Sequence, residues 1–459
     1  MSTDAVHKYI DQNKQRFQDE LFEFLRIPSV SAKADHKADV LKAAQWVESR
    51  AKEIGMKVKL HETKGHPIVV AEWREAGANA PTILIYGHYD VQPEEPVELW
   101  ESPPFEPTIR DGKIYARGSV DDKGQLYLHL KALESHLKAN GKLPVNVIVV
   151  AEGEEEVGSE NLMPFVEQHK DELKCDAIVI SDSAMHSANQ PSLDASLRGL
   201  SYLEVWVDGP AQDLHSGVYG GGVMNPATAL ARIIASFHDE NGRVQVEGFY
   251  DDVDEAKVFR AALAKLPWDD ADFTKETGSP ELFGEKGFTT LERVLVRPTV
   301  EINGLLSGYT GEGAKTVLPA RAMAKVSCRL VANQDPHKIA ELVKKHIAKH
   351  TPKGVSVKAE YLHGGNAWMA NVQGPLYEAG AAALEKAFGV KPVFGGSGGS
   401  IPIVPEFEKV LKAPAMLMGF GLPGENAHAP NEWMSVRNYE QGVHAAAEVL
   451  DQLAARMKK

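Results

Sequence analysis

Four short stretches of this chain are almost wholly apolar, and each ends beside a side chain that can bind a metal ion. They are 82–87 (TILIYG), 145–151 (VNVIVVA), 176–181 (DAIVIS) and 414–420 (PAMLMGF). Continuous apolar runs of this length fit strands covered on both faces, as in a parallel sheet between helices. The covering helices can be read as well. Residues 5–26 place Val6, Ile10, Phe17, Leu21, Phe22 and Leu25 at helical spacing and stop at Ile27-Pro28, and further helical patterns occupy 39–54, 123–138, 159–169, 375–388 and 439–457. Residues 1–197 and 373–459 thus predict one α/β domain, a mixed, mostly parallel sheet sandwiched by helices.

A chain of 459 residues exceeds one ordinary domain, and its middle, 198–372, follows a different pattern. Residues 200–207 and 320–331 alternate like half-exposed strands. In the second, Ala322, Ala324, Val326, Cys328 and Leu330 point one way, and Arg321, Met323, Lys325, Ser327 and Arg329 the other. With helices expected near 225–238 and 336–348 and strands near 294–302 and 355–362, the order is βαββαβ, a ferredoxin-like α+β arrangement. Residues 240–290 form a long insertion within it. A second domain inserted into the first is the simplest parsing.

The chemistry gathers where the four apolar runs end. His88 and Asp90 follow the first, Glu152 and Glu154-Glu155-Glu156 the second, Asp182 the third, and Glu425 and His428 the fourth. A fifth acidic pair, Asp121-Asp122, lies just before a helix. Taken singly, each has an ordinary reading: a loop histidine, a solvated acidic turn, an N-cap aspartate. Taken together they fall at the carboxyl ends of strands, where open α/β sheets place their ligands. That many buried carboxylates need compensating charge, and metal ions are the usual source. Two imidazoles with several carboxylates and no thiolate suit zinc, manganese or cobalt in a reactive site rather than a structural zinc site. Two such ions bridged by a carboxylate and a water make a hydrolytic centre. Asp90 is placed to accept the second ring N–H of His88, and a carboxylate that binds no metal is the natural proton shuttle.

Composition narrows the classes. A formal net charge of −14 disfavours nucleic acid and anionic membrane surfaces as partners. Only Cys175 and Cys328 occur, too few for a disulfide framework, and they predict reduced thiols. No apolar signal core opens the chain and no run reaches membrane-spanning length, so a cytoplasmic location is expected. The run GGSGGS (395–400) lacks the Lys-Ser/Thr of a phosphate-binding loop.

The motifs YGHYDVQP (86–93), ARGSVDDKG (116–124), EGEEEVGSE (152–160), ISDS (180–183), DLHSGVYGG (213–221), GAKTVLPA (313–320), GGSIP (398–402) and NAHAPNE (426–432) run in order along almost the whole chain. In these the chain resembles the carnosinase-like metallodipeptidases of the cytosolic non-specific dipeptidase type, within the two-metal aminopeptidase and carboxypeptidase superfamily. The resemblance implies a zinc-aminopeptidase-like catalytic fold with an inserted lid and dimerisation domain. It implies two divalent ions per subunit, zinc or manganese with cobalt possible. One would be held by His88, Asp121 and Asp182, the other by Glu156, His428 and the shared Asp121. Glu155 would be the general base acting on a metal-bridging water, and Asp90 the brace on His88. It further implies a cis peptide at Asp121-Asp122. His215 would stabilise the oxyanion in the partner subunit's site of a homodimer. Thr316, Arg329 and Ser400 would hold the terminal carboxylate of a small peptide, with His428 also lining the substrate site.

The activity implied is dipeptide hydrolysis. An N-acyl amino acid deacylase or a metallocarboxypeptidase would share the same centre, and Ala-Ala or β-Ala-His against an N-acetyl amino acid separates them. A metal-dependent binding protein without turnover is a reading from another class. A base retained beside a full ligand set argues against it.

Overall fold

Mostly apolar residues make up the strands at the centre of the larger sheet, and they are covered on both faces. Asn146–Glu152 and Thr82–His88 are buried at every position, as are Ala177–Ile180 and Ala415–Leu417. The computed structural model describes residues 3–254, 257–398, 401 and 403–457. It divides into two units. The first contains Met1–Ala195, Ala370–Gly395 and Ile403–Lys459, and the second contains Ser196–Met369 and Gly396–Pro402.

In the first unit the four central strands pair in parallel, in the order Asn146–Glu152, Thr82–His88, Ala177–Ile180, Ala415–Leu417. Their register sets His88 opposite Glu152, so their carboxyl ends come level with one another. Flanking strands run antiparallel: Ile68–Trp73 pairs with Asn146–Glu152, Lys57–His61 with Ile68–Trp73, and Ser192–Leu197 meets the Ala415–Leu417 strand. The sheet is therefore mixed, with its parallel part at the centre. Helices Thr3–Leu25, Lys37–Glu53, Lys123–Asn140, Leu162–Gln168, Pro375–Phe388 and Val436–Arg456 fall where helical periodicity predicts them. Ile403–Leu411 is an additional helix.

One buried lysine ties this scaffold to the functional loop. Lys123 is wholly inaccessible and its ammonium donates to the carbonyls of Phe24 (3.2 Å) and Ile27 (2.6 Å), at the end of the first helix. Burial lowers its pKa to about 7. Because Lys123 directly follows Asp121-Asp122, the bond fixes the position of that acidic pair.

The second unit carries a four-stranded antiparallel sheet in the order Thr299–Ser307, Arg321–Leu330, Gly199–Asp208, Ser356–Gly365. Helices Pro226–Ala235 and Pro336–His350 complete the βαββαβ order. Strict alternation of burial along Gly199–Asp208 puts Leu203, Val205 and Val207 into a core with Ile233, Ile339 and Val343. The strand expected near 294–302 begins only at Thr299. Thr289 and Glu292 form a capping box that makes Thr290–Leu295 a helix. Among the described residues, no helix is long and apolar enough to cross a membrane.

Candidate metal centre

The parallel strands deliver their terminal side chains to one place. His88 closes the Thr82–His88 strand, and its ring is fully buried. Its Nδ1 lies 3.1 Å from the main-chain oxygen of Asp90 and 3.4 Å from the Asp90 carboxylate. Both partners are acceptors, so the ring proton belongs on Nδ1 and Nε2 presents a lone pair. That lone pair faces Asp121 Oδ1 at 3.1 Å and Asp182 Oδ2 at 3.8 Å. On the other side of the same carboxylate, His428 Nε2 lies 2.8 Å from Asp121 Oδ2 and 3.3 Å from Glu156 Oε2. Ligand atoms of His88, Asp121 and Asp182 all lie within 4.8 Å of one another, as do those of Asp121, Glu156 and His428. The two triads share only Asp121, one oxygen turned to each histidine.

Acceptor facing acceptor at these distances is stable only with a cation or a proton between them. Burial, with the Asp121 charge added, raises Glu156 to about 9 and Asp182 to about 7. Burial also raises Asp121, but where His428 and His88 carry a proton toward it their hydrogen bonds and charge outweigh burial and hold this carboxyl well below its ordinary range. The Asp121 contact, working against burial, lifts His428 to about 9. Two imidazoles and three carboxylates in this arrangement fit divalent metal ions.

The acidic run separates by role. Glu154 turns away, accepting from His66 N (3.1 Å) and Asn161 Nδ2 (2.8 Å). Glu155 and Glu156 instead have their backbone N–H groups held by the Asp90 carboxylate at 3.3 and 3.2 Å. Asp90 thus orients His88 and this turn at once. The Glu155 side chain has no hydrogen-bond partner among the described residues, and burial, aided by Asp121 and Asp90, raises its pKa. Glu152 accepts from Tyr86 (2.6 Å) and Ser159 (2.8 Å), Asp122 from His88 N (3.1 Å), and Glu425 from Leu422 N (2.6 Å). These three brace loops. The Asp121–Asp122 peptide is cis. His428 has φ 63°, a left-handed conformation that a non-glycine residue holds at a cost of about 1–3 kcal/mol, typical of functional positions.

The peptidase family M20/M25/M40 matches residues 84–452 of this sequence. The chain belongs to that family. It is 32% identical to the Cys-Gly metallodipeptidase dug1 of Schizosaccharomyces pombe, across 99% of both chains. Its fold superposes on human carnosine dipeptidase 1 with a TM-score of 0.85 at 27% identity, covering 99% of each chain. It also superposes on the M20 family metallo-carboxypeptidase Sso-CP2 of Sulfolobus solfataricus, with a TM-score of 0.84 at 36% identity, covering 96% of this chain and 99% of that one. The resemblance read from the motifs is thereby borne out, and so is the fold class.

Two residues of this M20/M25/M40 peptidase carry roles that the motifs did not announce. Glu432, fully buried, accepts from Arg117 Nη1 (2.7 Å) and from the backbone N–H of Gly118 (3.0 Å), Val120 (3.0 Å) and Asp121 (3.2 Å). It holds the loop that presents Asp121. Gln92 donates to Glu156 Oε2 at 2.8 Å and orients that carboxylate. Both lie inside motifs quoted above, but only the tertiary fold shows what they touch.

Of the remaining predicted residues, His215, Thr316 and Arg329 lie in the second unit. His215 pairs with Val317 in a short ladder, and Ser216 N donates to the Thr316 carbonyl (3.1 Å), so His215 and Thr316 are neighbours. His215 Nδ1 accepts from Gly217 N at 3.0 Å, which leaves Nε2 as the N–H donor of the neutral ring. Arg329 sits on the polar face of Arg321–Leu330, half-buried, and burial lowers its pKa. Arg198, also half-buried, is lowered to about 10 by burial and then by the charge of Arg329. Ser400 lies outside the described residues.

Proposed function

We propose that this chain is a metal-dependent dipeptidase that hydrolyses small peptides bearing a free carboxylate. The observation that carries the reading is the split of the Asp121 carboxylate between His88 and His428, 3.1 and 2.8 Å away, with Glu155 beside it and bound to neither. Two divalent ions, zinc or manganese with cobalt as a further option, would be held by His88, Asp121 and Asp182 and by Asp121, Glu156 and His428, supplying Lewis acidity to the carbonyl and to water. Glu155 takes the proton of the attacking water and passes it to the leaving amine. Asp90 keeps the His88 ring in the tautomer that presents Nε2. The relatives whose names specify dipeptides support this choice of substrate.

Arg329 with Thr316 and Ser400 is assigned the terminal carboxylate, for which a guanidinium supplies a two-pronged donor, and His428 is assigned a place in the substrate site. His215, through its outward Nε2–H, is assigned the oxyanion in the site of a neighbouring subunit. Residues 198–372 are read as the lid and dimerisation domain. Support for a homodimer comes from the edge strand Thr299–Ser307, which exposes Ile302, Leu305 and Leu306, an unpaired apolar edge that soluble proteins usually cover. A cytoplasmic setting is proposed with it, supported by two free cysteines.

A substrate panel tests the assignment: Ala-Ala and β-Ala-His, an N-blocked longer peptide, and an N-acetyl amino acid. Dipeptides should give the highest kcat/KM. A preference for the N-blocked peptide would move the chain to the carboxypeptidases, and a preference for the acetylated amino acid to the deacylases.

A further inference from the structure

Three arginines of the second unit surround a cavity that peptide hydrolysis leaves without a purpose. Arg243, Arg260 and Arg297 line a space of about 320 Å³ together with Tyr250 and Phe288. The guanidinium groups lie against these rings: Arg243 is 4.0 Å from the Tyr250 centroid, and Arg297 and Arg260 are 4.2 and 5.0 Å from that of Phe288. Stacking of this kind holds the planar groups by their faces and leaves N–H edges free to bind.

Internal carboxylates satisfy only part of that capacity. Glu285 accepts from Arg243 Nη1 (2.7 Å) and from Arg297 Nε and Nη2 (2.7 and 3.0 Å), and Glu292 accepts from Arg260 Nε (2.7 Å). In the ion pairs among the described residues, three arginines here meet two carboxylates, in a chain whose net charge is −14. The Arg297 side chain is only 10% exposed, and its Nη1 has no hydrogen-bond partner among the described residues. That leaves an N–H edge of Arg297 available to an anion, for which a guanidinium is a strong donor.

We propose that this cavity binds a small oxyanion, with the N–H groups of Arg243, Arg260 and Arg297 as donors. A phosphate group and a free carboxylate share this chemistry, and the assay separates them. The site is independent of the metal centre and of the peptidase reading.

The test uses the full-length, metal-loaded protein. Crystals soaked in selenate, a tetrahedral oxyanion, should show a selenium anomalous peak within hydrogen-bond reach of Arg297 Nη1 and Arg260. Calorimetric titration with inorganic phosphate and with acetate, at constant ionic strength, decides which form is preferred. Arg243→Gln and Arg260→Gln, at partly exposed side chains that the fold should tolerate, should each weaken binding at least about tenfold, the scale of one lost charge-assisted hydrogen bond. No selenium peak in the cavity, a peak only at the metal centre, or unchanged binding in both variants would overturn the proposal.

Discussion

Replacing Glu432 by glutamine should damage the metal centre without touching a metal ligand. Four donors converge on this carboxylate, two on each oxygen: Arg117 Nη1 and Gly118 N on Oε2, Val120 N and Asp121 N on Oε1. All four need an acceptor, so they select the ionised carboxylate although burial pushes its pKa up. Glutamine keeps one oxygen, and its amide nitrogen must face the other two donors. Either those two N–H groups lose their acceptor, at about 1–3 kcal/mol each, or Arg117, itself only 1% exposed, is left as an uncompensated buried charge, at about 3–5 kcal/mol. The expected loss is therefore about 2–6 kcal/mol in urea unfolding of the metal-free protein. Loosening the loop that aims Asp121 should also weaken metal binding about 10–100-fold, the usual range for an outer partner of a ligand. Glu440→Gln is the control, since its pair with Lys14 is partly exposed and should cost less than about 1 kcal/mol. If Glu432→Gln unfolds within about 1 kcal/mol of the parent and binds metal within about threefold, the account of how Asp121 is positioned fails.

Glu155→Gln should lower kcat by about 10²–10⁴ with metal content unchanged, as measured by steady-state kinetics and elemental analysis. Equal loss of metal would make it a ligand instead. Arg329→Met should raise KM by about tenfold or more with little change in kcat, the pattern of lost uniform binding. An effect on kcat alone would place Arg329 elsewhere in the reaction. His129 is buried against Ser181 Oγ (2.7 Å), and burial lowers its pKa to about 4. A base whose folded pKa lies below its unfolded value of about 6.5 is fully stabilising above that pH. The contribution is lost as pH falls toward 4, up to roughly 3 kcal/mol. His129→Gln should flatten this part of the stability profile in denaturant titrations at pH 7 and pH 4.5. A profile with the same slope would show that His129 is not responsible.

The central strands could be read from sequence because each lies in a continuous, almost wholly apolar run. Their flanks could not. Lys57–His61 alternates lysine with apolar residues, and Ser192–Leu197 carries the buried Asp194 and two buried serines, so neither shows a clean apolar run. The displaced start of the Thr299–Ser307 strand follows from a capping box whose competing helix outweighs β-propensity. Within the acidic run, nothing local distinguishes Glu154 from its neighbours. The positions of His66 and Asn161 decide which carboxylate braces the loop. Glu432 is the clearest case: the backbone donors it serves lie more than 300 residues earlier in the chain, beyond any local pattern.

The central claim is that Asp121 stands between two cations. Diffraction at the metal absorption edge, from crystals grown with zinc or manganese, measures it directly. Two anomalous peaks should flank the Asp121 carboxylate, one beside His88 and Asp182 and the other beside Glu156 and His428. A single peak, or peaks away from Asp121, would contradict the account.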